Sequence, residues 1–197
     1  MIKFPRILTL FFVLSVLIFS ACGDDDLVDE PDDFPPVDEG DIQANRYFLT
    51  FTEFSDTSKK QTVEFYDPDG IGGSAPITQE KFDLKEPTGS ASFFRYSSSI
   101  RIYNDSVEVT DQIIAQQTKY IVCYRGYDDN NMRGGPWSKD SNGVQLGIKG
   151  EWSTSDRLGN DGSGEIRVTL NYQPNGKDGL CDPGIRILDG SIPYQIN

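Results

Sequence analysis

Few residues in this chain have the types and spacing to do chemistry, and two clusters of them stand out. The first is Asp67-Pro68-Asp69-Gly70-Ile71-Gly72-Gly73, with two carboxylates two positions apart and Gly72 at the sixth position. Calcium loops alternate carboxylates around a glycine turn because several hard oxygens must converge on one ion. Here Ile71 stands where a third side-chain oxygen belongs and Thr78 where a closing Glu would be. Two readings stay open: a calcium site on Asp67 and Asp69, or a glycine-rich turn whose aspartates cap their own backbone. The second cluster is the stretch 125–143, expected to be one long connection between strands, a kind of segment that is often functional. Tyr127, Asp128, Asn130, Arg133 and Trp137 mix aromatic faces with hydrogen-bonding groups, which suits stacking on a sugar or gripping a peptide. The alternative folds Trp137 back over the end of the domain and leaves the polar residues solvated.

The chain has no histidine. That removes the usual general base, every Ser-His or Cys-His nucleophile pair, and most zinc and copper sites. Asp128 and Asp129 are adjacent, and adjacent residues point apart, a poor arrangement for glycoside hydrolysis. Asp-Gly-Ser-Gly at 161–164 lacks the spacing of a nucleophile elbow and reads as a hairpin turn. The expectation is a non-enzymatic protein with no catalytic residues and no cofactor beyond a covalent lipid or the calcium considered above. A carboxylate-dependent glycan hydrolase is the remaining catalytic alternative.

The lipid follows from Cys22. Lys3 and Arg6 precede an apolar run from Ile7 to Phe19 broken only by Thr9 and Ser15, the layout of a secretory signal and too short to span a bilayer comfortably. A cut after Ala21 would put bulky Phe19 at the −3 position. Phe19-Ser20-Ala21-Cys22-Gly23 instead resembles a bacterial lipobox, in which small residues precede a cysteine that is diacylated and becomes residue one. At about 0.8 kcal/mol per buried CH₂, two or three acyl chains hold a protein on a bilayer. The acidic run directly after Cys22 resembles the export signal of Bacteroidetes-type surface lipoproteins.

Charge marks the next boundary. Ten acids lie between Asp24 and Asp41 without one Lys or Arg, and Leu27, Val28, Phe34 and Val37 offer little to bury, so this segment is expected to be a disordered tether stiffened by Pro31, Pro35 and Pro36. The chain thus divides into a lipoprotein signal peptide (1–21), a lipidated cysteine and acidic tether (22–43) and a folded domain (44–197). Formal net charge is −13, but residues 42–197 hold 21 acids and 16 bases, a net of −5. Such a balance gives no reason to expect nucleic acid.

Behind these residues the periodicity is two. Alternating runs at 46–54, 61–67, 80–85, 92–103, 119–125, 144–152, 165–172 and 191–196 predict about eight strands in a single antiparallel β-sandwich of the immunoglobulin-like, Greek-key type. Pro193 predicts that the last strand is an edge. Residues 109–117 predict one short helix, with Thr110 as N-cap, plugging one end of the sandwich. Cys123 and Cys181, with 57 residues between them, invite a disulfide in an extracytoplasmic protein, and two unpaired thiols with Cys123 buried are the alternative.

Three stretches together resemble a group of uncharacterised flavobacterial-type surface lipoproteins, often labelled hypothetical or type 1 periplasmic binding-fold proteins. They are VEFYDPDGIGGSAP (63–76), DSNGVQLG (140–147) and GSGEIRVTLNYQPNGKDG (162–179). The resemblance implies a single β-sandwich on a lipid tether and brings no established activity. Where that group commonly has histidines, this chain has Gln116-Gln117 and Tyr172-Gln173, so no histidine metal site carries over.

The expected protein is a lipid-anchored binding module of the outer membrane, facing the cell surface or, alternatively, the periplasm. By analogy it would sit beside an outer-membrane receptor or transporter. A structural envelope or adhesion protein, using a sheet face and not its loops, is the alternative.

Overall fold

In a computed structural model, residues 42–73, 76–78, 80–88, 92–126, 131–155, 162–182 and 184–197 are described. Alternation in the sequence becomes alternation of faces, since successive side chains of a strand point to opposite sides. Strand β1 (Arg46–Glu53) buries Tyr47, Leu49 and Phe51 and turns Arg46, Phe48 and Thr50 outward. Strands β2 (Lys60–Tyr66), β5 (Phe93–Asn104) and β9 (Lys149–Ser155) do the same with Val63 and Phe65, with Tyr96, Ile100 and Ile102, and with Trp152. Together with β3 (Ile77–Thr78) and β8 (Met132–Pro136) they form one sheet in the order β3-β2-β1-β5-β9-β8, and β6 (Val107–Glu108) pairs with β5. The second sheet runs β4 (Phe82–Leu84), β11 (Ile185–Ile196), β10 (Ser163–Tyr172), β7 (Tyr120–Arg125). All pairings are antiparallel except β11 with β4.

The two inner faces meet in one aromatic-rich core. Phe51 sits edge-on to Phe82 at 4.7 Å, to Tyr96 at 5.8 Å and to Trp152 at 5.9 Å, so one ring ties β1 to β4, β5 and β9. Buried ring hydroxyls and N–H groups find partners, as burial requires. Trp152 Nε1 donates to Ser98 Oγ (2.8 Å), Tyr124 Oη to Gly147 O (2.9 Å) and Tyr47 Oη to Gly190 O (3.1 Å). Gly190 is required where it stands: a Cβ there would lie 2.5 Å from the Phe65 ring of the opposite sheet.

The sandwich agrees with the alternating pattern, and four details differ from it. Helix α1 (Thr110–Ala115) is capped by Val109 without a side-chain hydrogen bond, because the Thr110 hydroxyl accepts the Ile102 N–H (2.8 Å) and so anchors the helix to β5. Ile113 of α1 packs into the core. The stretch 125–143 is not one long connection, since it contains β8; Gly134 and Gly135, with φ of +119° and +151°, hid that strand from a propensity reading. The strand expected at 144–152 begins only at Lys149, and Gln145 makes an isolated bridge to Lys139. Pro193 does not make β11 an edge throughout: β4 joins it at Tyr194, one residue past the missing N–H.

Strand β7 is buried on both faces, unlike its neighbours. The segment 144–147 covers its free edge, with Val122 N donating to Leu146 O (2.9 Å). Cys123, on the side away from the sandwich core, is bonded to Cys181, with Cα atoms 6.0 Å apart. That bond fastens the segment after β10 over the outside of the small sheet. Cys181→Ser should therefore cost about 2–4 kcal/mol of unfolding free energy. Urea titration checks this, and reducing the parent protein should reproduce the loss while leaving the variant unchanged.

Candidate functional site

Cys22, Tyr127, Asp128 and Asn130 lie outside the described residues. Arg133 projects from β8 with its guanidinium 6.0 Å from the Phe93 ring. Trp137 follows directly and is 55% exposed, not folded back over the domain. Its backbone is fixed: Trp137 N and Ser138 N both donate to Lys149 O (2.9 and 3.2 Å), and Lys149 N donates to Ser138 Oγ (3.0 Å). An indole on a pinned backbone presents its stacking surface from a fixed position on the domain.

Behind Trp137, Asp140 organises the turn. Its Oδ1 accepts the N–H groups of Asn142 (2.8 Å) and Val144 (2.9 Å), and its Oδ2 lies 3.1 Å from Lys177 Nζ. Both side chains are 1% exposed, and Lys177 Nζ also donates to Gln145 O (2.8 Å). Burial works against both charges. At Asp140 the hydrogen bonds from Val144 and Lys177 outweigh it and hold the carboxyl below its usual range, whereas at Lys177 burial wins and the ammonium is easier to deprotonate. The turns Asp-Ser-Asn-Gly (140–143) and Pro-Asn-Gly-Lys (174–177) thus meet in one buried ion pair. Lys177→Met should cost about 3–5 kcal/mol by leaving Asp140 uncompensated. Adding Asp140→Asn should recover part of that loss in urea titrations at neutral pH. Because the folded Asp140 pKa is depressed, its contribution is present above the unfolded carboxyl range and fades as pH falls through the folded value.

Asp67 and Asp69 lie at the end of β2. Asp67 is 7% exposed and accepts hydrogen bonds from the backbone of Gly70 and Asp69, while Gly70 and Gly72 adopt φ of +78° and +87°. This is the capped-turn geometry. Burial, followed by the facing Asp69 carboxyl, raises the Asp67 pKa, and among the described residues the buried Asp67 Oδ1 has no hydrogen-bond partner. Among the described residues no group of three or more His, Cys, Asp or Glu is placed to hold a metal. A raised folded pKa makes the charged form costly, so the penalty is absent below the unfolded pKa and complete above the folded one. Asp67→Asn keeps an acceptor for the backbone and offers Asp69 a donor. It should stabilise the protein by about 1 kcal/mol at pH 7 and by nothing below about pH 3. Calcium checks the other reading: the capped turn predicts the same Tm in millimolar calcium as in chelator, and a rise abolished by Asp67→Asn would mark a cation site.

The sequence reading missed the outward face of the large sheet. Two adjoining concavities lie there, about 220 Å³ lined by Phe48, Thr62, Glu64 and Glu80, and about 170 Å³ lined by Arg46, Glu64, Tyr66 and Ile77. Phe48 meets Tyr103 edge-on at 5.3 Å, and the Arg101 guanidinium lies 5.8 and 5.9 Å from the two rings. Arg46 covers Tyr66 at 4.2 Å and Arg95 covers Phe54 at 4.5 Å. The signal was present in the odd phase of the strands, where Phe48, Arg95 and Arg101 alternate with the core residues.

Compared with known proteins, the chain matches no family model, no curated protein and no solved structure. What the geometry defines is the class: a mainly β, two-sheet sandwich with one short helix.

Proposed function

We propose that the chain is a non-enzymatic, lipid-anchored binding module of the outer membrane, displayed at the cell surface and working as an accessory to an outer-membrane receptor or transporter. The observation that carries the binding part is Trp137, an exposed indole on a backbone pinned to Lys149. A large aromatic left in solvent on an anchored backbone offers contact area on binding, with only its two side-chain torsions left to order. The anchoring part rests on Cys22 in its lipobox-like context and on the acidic segment after it. The absence of histidine from the sequence supports a role without catalysis.

The test is to purify the full protein from membranes of its own cells and analyse both its N-terminal peptide and its companions by mass spectrometry. The expected result is an acylated Cys22 with a stoichiometric outer-membrane receptor or porin. Trp137→Ala should lose that partner while its Tm stays unchanged. An unmodified Cys22 would overturn the anchoring, and a partner held equally well by Trp137→Ala would overturn the role of the indole.

A further inference from the structure

We propose that the outward face of the six-stranded sheet binds an acidic polysaccharide, with Arg101 and its neighbouring cations receiving uronate carboxylates. This surface is separate from the Trp137 loop and extends the binding-module reading to a second site and a ligand class.

Register places the charges. Arg133 pairs with Ser153 and Ser153 with Arg95, while Arg101 pairs with Phe48 and Phe48 with Glu64, all in the outward phase. On the large sheet this face carries Arg46, Lys60, Arg95, Arg101, Arg133 and Lys149 against Glu64, Glu151, Glu108 of β6 and Glu80 at the first concavity, a net of +2. The other ten bases and seventeen acids of residues 42–197 leave −7. A cationic face on an acidic protein orients it toward an anion and turns the rest of its surface away.

The cations are prepared for carboxylates. Arg101 rests near the rings of Phe48 and Tyr103, and among the described residues no carboxylate comes within ion-pair distance of it. A guanidinium near aromatic rings and without a carboxylate partner keeps N–H groups for bidentate pairing. Arg46 is paired with Glu64 (3.0 Å) in a half-buried bridge, whereas the Arg95–Glu151 bridge (3.1 Å) is exposed, and such exposed bridges are weak enough to be exchanged for a ligand's carboxylate. Arg95 and Arg101 are six residues apart on one strand, about 20 Å. That separation asks for an extended ligand with repeated charge.

Between the cations lie neutral hydroxyls. Thr50 and Thr62 sit side by side with their Oγ1 atoms 2.9 Å apart, and Ser97 and Ser99 continue the outward row on β5. Hydroxyls both donate and accept, as sugar hydroxyls do, and aromatic side chains are available for the apolar faces of sugar rings.

The experiment uses the full-length protein in detergent and polygalacturonate oligomers as probe, read by calorimetry at low and high salt. The expected result is binding that weakens as salt rises, falls about tenfold or more in Arg101→Glu and Arg133→Glu, and is unchanged in Lys119→Glu, whose charge lies off this sheet. Each variant's Tm should match the parent's. The proposal is overturned if polygalacturonate does not bind, if dextran binds as well, if both Glu variants bind like the parent, or if an oligothymidylate of equal charge binds as tightly. A protein indifferent to polygalacturonate that still retains a Trp137-dependent partner would end this proposal and leave the binding-module reading standing.

Discussion

The sandwich depends on one close approach. Phe65 of β2 lies against the backbone of Gly190 in β11, where no side chain of any size would fit. Tyr47 of β1 stacks on Phe65 with ring centroids 5.0 Å apart and donates its hydroxyl to Gly190 O. Three strands from two sheets therefore share one contact, and it combines a steric limit, an aromatic stack and a buried hydrogen bond. The hydroxyl is tied to the same geometry: burial pushes the Tyr47 pKa well above its ordinary value, so the group stays a donor across any physiological pH. With that spacing set, Phe51 reaches Phe82 and Trp152, and the remaining core follows.

The core was legible because a half-buried strand writes its environment into every second residue. Tyr47, Leu49 and Phe51, or Ile166, Val168 and Leu170, carry burial in their identities alone. Strand β8 was not legible, because Gly134, Gly135 and Pro136 read as turn residues. Gly134 lies so close to Glu151 O that a side chain would collide with it, a demand set by a neighbour fifteen or more residues away. The cap failed for a similar reason: Thr110 had two uses for its hydroxyl, and β5 took it.

Site residues were legible in type more than in place. Asp140 was visible as the first residue of a turn, and Lys177 as part of another, but only the fold brings them to 3.1 Å. Trp137 was visible as an unusual residue in a polar stretch, and its pinned backbone was not. The cationic face was hardest to see. Its four arginines are spread over three strands that lie tens of residues apart in sequence, and the overall negative charge conceals a positive side.

Both ends of the large sheet are unsuited to further strands. At one end β3 is two residues long, and at the other β8 combines two glycines with φ above +100° and a proline that offers no N–H. In the small sheet, β4 is three residues long and the free side of β7 is taken by the segment around Leu146. Among the described residues the terminal strands β3, β4 and β8 thus give a second copy only short or interrupted edges, although β3 reaches no further along β2 than Phe65 and Tyr66 and β4 meets β11 only at Tyr194–Ile196. Short and glycine-broken terminal strands make backbone extension from one copy to the next unfavourable there, a safeguard for a protein whose broad outer face is rich in aromatic rings.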